Sequence, residues 1–210
     1  MGTSRPRRGR PPLPLEGQRQ RLLDAARQLL ERRELETAGV REVVAEAGMS
    51  SRAFYQVFES SDALILELAR EMAEHFLERL EAVPDPSESL DTEQVADQLL
   101  DAYVELAAPL VALDGARLPR STADRIQKIR TGLLEGSLDL MFQRFERAVR
   151  AGRLTALPDR TAFEIVLRGV ESLTADLSRR GRLPELEALR VSIRKLLVAQ
   201  APLASRPKGR

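Results

Sequence analysis

Residues 40–58 read VREVVAEAGMSSRAFYQVF, and this stretch decides the fold. Its first half carries apolar residues at the spacing of one helix face: Val40, Val43, Val44 and Ala47. Gly48 can adopt the left-handed conformation that ends a helix, and Ser50 or Ser51 can cap a second short helix over residues 52–57. Two short helices joined by a tight turn containing glycine form a helix-turn-helix.

Helical periodicity extends outward from this stretch along most of the chain, and no alternating strand pattern is evident. It predicts a first helix over residues 17–33, a fourth that Ser60 caps and Pro84 ends, and a fifth from about Asp91 that stops near Pro109. A sixth helix follows Pro119, and a seventh ends at Gly152. Helices beginning at Pro158 and Pro184 complete an all-α fold of about nine helices.

The composition divides this fold into parts. We expect a flexible basic arm over residues 1–16, a three-helix domain over 17–60, a larger helical domain over 61–200, and a flexible tail over 201–210. The two ends of the chain carry an excess of basic residues, whereas residues 61–204 are acidic overall. A basic end favours contact with the phosphates of nucleic acid.

Several kinds of chemistry lack the residues they need. The chain of 210 residues has no cysteine and a single histidine, His75, so thiolate sites and disulfides are excluded and histidine catalysis has little support. A carboxylate–histidine metal site in a helical bundle needs Glu three residues before the His, and Met72 stands there. We expect no metal, no cofactor and no enzymatic activity. No apolar run can cross a bilayer, which predicts a cytoplasmic protein without a membrane partner.

Residues 21–64 resemble the DNA-binding domain of the TetR family of bacterial transcriptional regulators. The resemblance is carried by Ala25-Ala26, by the VREV sequence that opens the second helix at Val40, by the AGMS turn at residues 47–50, and by FYQVF at 54–58. The family often has Thr at the position of Gly39 and Lys at that of Ser61. These two residues can still offer backbone or hydroxyl donors to phosphates.

A recognition helix exposes small or polar side chains toward DNA while its other face anchors it. Phe54 and Phe58 are expected to point inward, whereas Arg52 can pair with guanine and Gln56 with adenine. In the family, the position of Tyr55 contacts phosphate. The predicted DNA-contacting residues of this domain are Gly39, Arg41, Ser50, Ser51, Arg52, Ala53, Tyr55, Gln56 and Ser61.

The arm contains Arg7, Arg8, Gly9 and Arg10 before Pro11, which resembles the Arg-Gly-Arg-Pro core of an AT-hook. Two arginines flanking a glycine can follow the narrow minor groove of A·T-rich DNA, because its negative potential attracts them. An inert basic tail is the alternative. The neighbouring domain favours DNA contact.

The resemblance implies that residues 17–60 are a DNA-binding domain and residues 61–200 an effector-binding and dimerisation domain, in which helices four to seven enclose a small molecule. Candidate lining residues are Met72, Phe76, Tyr103, Met141, Phe142 and Phe145, although such side chains more often belong to a core. The last two helices carry long apolar stripes that a single chain could bury but that a homodimer interface would also need. The interface candidates are Phe163, Leu167, Val170, Leu177, Leu186, Leu189, Ile193 and Leu196.

The sequence therefore predicts a ligand-responsive transcriptional regulator, as a repressor, that binds a palindromic operator on double-stranded DNA as a homodimer. Two alternatives remain open. One is an architectural DNA-binding protein without an effector, whose second domain would be solid core. The other is a helical protein-interaction module whose helix-turn-helix no longer binds DNA.

Overall fold

The structure is a computed structural model that describes residues 13–32, 39–85, 92–113 and 118–200. These residues form helices and no β-strand, which confirms the all-α prediction. The chain divides into two compact units, residues 1–65 and 66–210. The arginines of the predicted arm and the predicted tail at 201–210 lie outside the described residues.

The first unit contains three helices, α1 (Leu15–Glu31), α2 (Val40–Glu46) and α3 (Ser51–Val57). The fourth, α4 (Ser61–Ala82), begins in the first unit and continues into the second. Helix α1 starts within the range predicted for the flexible arm, because Leu15 and Glu16 already belong to its first turn.

The second unit continues with α5 (Thr92–Ala102), a π-helical segment (Tyr103–Ala107), and α6 (Ala108–Ala112). The predicted stop near Pro109 is wrong, because the helical path runs on to Ala112. The π segment lengthens one turn and changes the hydrogen-bond register just before Pro109, whose missing N–H falls in the first turn of α6. A proline is tolerated at that position.

The remaining helices are α7 (Arg120–Arg150), α8 (Arg160–Arg179) and α9 (Glu185–Ala199). The sequence predicts two helices between Pro119 and Gly152, and the structure corrects this to one. Gly132 and Gly136 lie inside α7 without interrupting it, and a Cβ at Gly136 would meet Leu77 at 3.7 Å. The long helix is held by the apolar side chains along it rather than by intrinsic propensity.

Local signals fix the ends of several helices. Gly48 has φ +61° after α2, and the Oγ of Ser50 accepts a hydrogen bond from the N–H of Ala53 at 3.2 Å. Ser60 caps α4 in the same way at 3.1 Å. The Oδ1 of Asp159 caps α8 by accepting from the N–H of Thr161 at 2.8 Å. The sequence predicted the roles of Gly48, Ser50 and Ser60, whereas it predicted only the start of α8 and not its cap.

Helix α8 packs against α6 and α9, and α5 packs against α9. Arg190 of α9 donates to Asp101 of α5 at 2.6 Å, and Arg194 donates to Asp97 at 3.0 Å. The buried guanidinium of Arg144 on α7 donates to the carbonyl oxygens of Glu81 and Val83 at the end of α4, at 2.6 and 2.8 Å. These polar contacts surround the apolar centre of the unit.

Candidate functional site

The helix-turn-helix is anchored by two phenylalanines of the FYQVF sequence. Phe54 is fully buried and Phe58 is 3 % exposed, with their ring centroids 5.8 Å apart. The buried face of α1 packs against α2 and α3 through an apolar stripe: Leu22, Leu23, Ala26, Leu29 and Leu30. The guanidinium of Arg19 lies 5.1 Å from the centroid of Phe58. This packing fixes the orientation of α3.

The opposite face of α3 lies in solvent. Ser51, Arg52 and Gln56 are exposed, Tyr55 is 60 % exposed, and Ala53 is half-buried. The ring of Tyr55 meets Phe54 edge-on at 5.3 Å, which holds its phenol at the edge of the exposed face. The structure thus brings together the side chains that the sequence analysis selected for reading bases, on one turn and a half of helix.

The other predicted DNA-contacting residues, around α2 and α4, differ in their exposure to solvent and in whether their hydrogen-bonding groups are already used. Arg41 is exposed, whereas Gly39 and Ser61 are half-buried. The N–H of Gly39 already donates to the carboxylate of Glu42 at 2.8 Å, and this bond lowers the pKa of Glu42. The sequence analysis expected the N–H of Gly39 to be available to a phosphate, but this donor is already used in the cap of α2. Ser50 is exposed, but its hydroxyl oxygen accepts the capping bond.

The second unit contains a cavity of about 100 Å³. This is room for several waters, since roughly 10–15 Å³ of such volume holds one. Apolar side chains from α4 to α9 form most of its wall. They include Phe76, Leu80, Leu99, Leu110, Met141 and Leu197.

The polar side chains that line the cavity are Tyr103, Arg130, Ser137 and Glu171. The Nε and Nη2 of Arg130 donate to the same carboxylate oxygen of Glu171, at 3.0 and 2.7 Å. The hydroxyl of Tyr103 donates to the Oγ1 of Thr174 at 2.8 Å. Burial raises the pKa of the Tyr103 phenol well above its usual range, so this group remains neutral. The cavity therefore combines an apolar wall with one ion pair.

The structure divides the predicted effector residues into two sets. Phe76, Tyr103 and Met141 line the cavity. Phe142 and Phe145 instead pack edge-on with each other at 5.4 Å and with Phe163, and Met72 is buried outside the lining. The sequence analysis missed Arg130 and Glu171. A signal existed, because Arg130 lies four residues from buried Ile126 and eleven from Met141, on the apolar face of α7.

Comparison with known proteins decides the identity of the first unit. Residues 22–68 match the family described as bacterial regulatory proteins, tetR family. By this match, the helix-turn-helix is the DNA-binding domain of the tetR family of transcription regulators. No curated protein sequence matches the chain.

Solved structures show a similar fold over both units of the chain. The fatty acid degradation regulator FadR from Bacillus halodurans aligns with a TM-score of 0.63 and 18% identity, covering 86% of this chain and 94% of its own. FadR from Bacillus subtilis, solved in complex with stearoyl-CoA, gives 0.61 and 18%, covering 86% and 98%. A TetR transcription regulator from Haloarcula marismortui gives 0.63 and 18%, covering 89% and 99%. At these identities the likeness establishes the fold.

Most of the predicted interface residues lie in the core of the second unit. Phe163, Val170, Leu177, Leu186 and Ile193 are buried within the chain itself. The expectation that they leave apolar surface in water is therefore corrected, because α8 packs against α6 and α9, and α9 packs against α5. Leu167 and Leu189 are half-buried, and Leu196 is 52 % exposed. Two apolar residues that the prediction omitted lie on the outer faces of the same helices, Ile165 and Val191, at 65 and 52 % exposure.

Other candidate chemistry finds little support in the described ranges. His75 is exposed on α4, and no group of three or more His, Asp or Glu side chains there could hold a metal ion. Among the helices of residues 13–32, 39–85, 92–113 and 118–200, none combines the length and apolar character that a bilayer crossing requires.

Proposed function

We propose that this chain is a TetR-family transcriptional repressor that binds a palindromic operator as a homodimer and leaves it when an apolar small molecule occupies the cavity of the second unit. The observation that carries the proposal is the exposed face of α3. A helix anchored by Phe54 and Phe58 presents Arg52, Tyr55 and Gln56 to solvent on a rigid support. This is the arrangement that reading the major groove requires.

The chemistry of that face supports sequence-specific binding. Arg52 can donate two hydrogen bonds to guanine, and the amide of Gln56 can both donate to and accept from adenine. Tyr55 can donate its phenol to a phosphate, which positions the helix without reading bases. The exposed Arg41 adds a second cationic contact near the start of α2.

Selection of DNA from a random duplex pool by the purified protein tests this step. We expect an enriched site with twofold symmetry whose half-sites lie one or more helical turns apart. Affinity should fall steeply with salt, because phosphate contacts release counterions. Failure to enrich any sequence, together with salt-insensitive binding, would refute the DNA-binding proposal and favour the protein-interaction alternative.

The cavity supports the effector part of the proposal. An architectural protein without a ligand would have a solid core, whereas this unit leaves an apolar space beside an ion pair. The FadR of similar fold from Bacillus subtilis was solved with stearoyl-CoA, a ligand with a long apolar chain. An effector with a large apolar part is the ligand that such a wall favours.

Helix α4 provides a route from the cavity to DNA binding. It begins in the first unit, and its later residues Phe76 and Leu80 line the cavity. A ligand that prefers one position of these side chains shifts the population of α4 positions, and with it the affinity for the operator. Titrating the selected duplex complex with an effector candidate should release DNA in a saturable manner.

The homodimer part rests on the outer faces of α8 and α9. Ile165, Val191 and Leu196 place three large apolar side chains in water on two adjacent helices. Exposed apolar surface on packed neighbouring helices is a feature of subunit interfaces. A twofold interface here would match a palindromic operator.

Replacing Val191 and Leu196 together with Glu tests this interface, because charges would then face each other across it. We expect dissociation to monomers in sedimentation velocity and a parallel loss of operator affinity. Gln127→Glu, which adds a charge at an exposed position of α7, is the control. A wild-type chain that is monomeric at micromolar concentration would refute the dimer.

A further inference from the structure

The ion pair in the cavity places a full positive charge against an apolar wall. Arg130 has only 7 % of its side chain exposed, and its guanidinium cannot lose its proton under ordinary conditions. A charge taken from water in this way requires an opposite partner, and Glu171 supplies it at 2.7 Å. Any ligand that fills the cavity must either fit beside this pair or exchange with one member of it.

The neighbouring hydroxyl groups direct a ligand toward Arg130. Tyr103 donates its proton to Thr174 at 2.8 Å, and Ser137 donates to the carbonyl oxygen of Leu133 at 2.7 Å. Both hydroxyl protons of the lining are thus used by protein acceptors. Arg130 is the lining side chain that can best donate to an acceptor on a ligand.

The two members of the pair differ in their access to water. Glu171 is 21 % exposed, three times the exposed fraction of Arg130. Its carboxylate can turn toward solvent and stay charged, whereas Arg130 would remain inside and need a replacement anion. A cationic ligand would instead place two positive charges around one carboxylate.

We infer that the cavity binds an apolar carboxylic acid whose carboxylate replaces Glu171 on Arg130. This inference rests on the proposed effector role of the cavity and specifies its ligand class. It needs no oxidation or covalent step, since one carboxylate exchanges for another.

The geometry of the present pair favours this exchange. The two hydrogen bonds that Arg130 donates to Glu171 both go to one oxygen, Oε1, whereas a guanidinium fork best matches the two oxygens of a carboxylate. A ligand carboxylate that enters along the cavity is free of the constraints of α8 and can present both oxygens. Its hydrocarbon chain would then lie along Phe76, Leu110, Met141 and Leu197.

Isothermal titration calorimetry with three probe series of equal chain lengths tests the inference. The probes are octanoate, decanoate and dodecanoate, with the primary alcohols and primary amines of the same lengths. The full chain should bind the preferred carboxylate about tenfold or more tightly than its alcohol, because a charge-assisted hydrogen bond replaces a neutral one. The amine should bind most weakly.

Variants of the pair separate headgroup recognition from burial of the hydrocarbon chain. Arg130→Gln should remove the preference for the carboxylate while leaving the affinity for the alcohol near that of the parent. Glu171→Gln removes the competing carboxylate and should increase the affinity for the carboxylate probe about tenfold. Glu164→Gln is the matched control, because Glu164 pairs with Arg168 on the outside of the same helix.

Glu171→Gln also provides a readout if Arg130→Gln does not fold. It leaves Arg130 with a neutral partner, so saturating carboxylate should raise the melting temperature of this variant more than that of the parent, and the matched alcohol should not. Equal binding of carboxylate, alcohol and amine would overturn the inference, as would the absence of binding by every probe.

Anisotropy of the selected duplex, measured on the same protein preparations, distinguishes failure of this inference from failure of the proposed function. Intact DNA binding that no carboxylate probe reverses refutes the ligand class while the DNA-binding proposal stands. Release of DNA by the alcohols as readily as by the carboxylates supports an effector cavity but overturns the role of Arg130.

Discussion

Two arginines show how differently the two units use the same side chain. Arg52 lies exposed on α3, where water solvates it until DNA arrives. Arg130 lies buried in the second unit and depends on Glu171 for its charge partner. The exposed Arg52 adds almost no free-energy cost to folding. The buried charge of Arg130 instead needs an opposite charge inside the folded chain.

The difference predicts different responses to salt. Interactions of an exposed guanidinium with phosphates are screened, and they weaken as ions compete for the same charges. A buried pair is screened much less. Function in the first unit should therefore depend on ionic strength, while the integrity of the second unit should not.

The largest expected effect follows from breaking the buried pair. Glu171→Ala leaves Arg130 without its carboxylate in an apolar surrounding, and should lower the free energy of unfolding by about 3 kcal/mol, the low end for buried pairs because Glu171 is partly exposed. Urea unfolding followed by circular dichroism measures this loss, which should persist at high salt.

Glu164→Ala is the matched control on α8, since its pair with Arg168 is half-exposed and should contribute less than about 0.5 kcal/mol. Equal losses for the two variants, or a loss for Glu171→Ala that salt abolishes, would remove the distinction drawn between the two arginines.

Arg52→Ala should act on DNA binding alone. We expect a loss of about 2 kcal/mol on the selected operator and relaxed preference at one base pair in each half-site. Unfolding should be unchanged, because Arg52 is exposed. Anisotropy titrations of matched and mismatched duplexes measure the effect, with the exposed Arg153→Ala as control. Unaltered discrimination between the duplexes would mean that another residue reads that base.

Removing residues 1–12 should have a smaller effect on operator affinity. The deletion ends before α1, which begins at Leu15, and takes away Arg7, Arg8 and Arg10. The slope of log affinity against log salt should decrease by about one for each phosphate that the shortened protein no longer neutralises. Replacing these three arginines with Gln in the full chain separates the effect of charge from the effect of length. An unchanged slope in both proteins would make the arm inert.

The smallest effect concerns the cap of α2. The Gly39 N–H lowers the pKa of the Glu42 carboxyl, so its ionised form is favoured in the folded state. This stabilisation is present above the unfolded pKa and is lost as pH falls through the folded pKa. Thermal melts between neutral and acidic pH should show a smaller acid-induced loss for Glu42→Gln than for the parent. Identical pH profiles would exclude the contribution.

Local signals in the sequence predicted much of the first unit. Gly48, Ser50 and the spacing of Phe54 and Phe58 specify the turn, the cap and the buried face within a few residues of one another. Each of these effects depends on neighbours in the chain, so no knowledge of the rest of the fold was required.

The packing of the second unit depends on contacts between helices that the sequence pattern does not specify. Whether Phe163 or Ile193 faces a partner or its own chain depends on how α8 meets α6 and α9, which periodicity cannot tell. Phe142 and Phe145 carry the same apolar pattern as Met141, yet only Met141 lines the cavity. The pairing of Arg130 with Glu171 joins residues on different helices, although a charge on an apolar stripe would have indicated Arg130.

The π-helical segment Tyr103–Ala107 forms part of the cavity wall. It accommodates one residue more than an α-helical turn would. Its first residue, Tyr103, and its last, Ala107, both line the cavity. Deleting one residue here would close the π turn to an α turn and leave the helices on either side nearly in phase, because the π turn holds one residue more than an α turn. Leu110 and Val111 would then keep their places in the wall. A single deletion would thus change the pocket only where the π segment itself lines it.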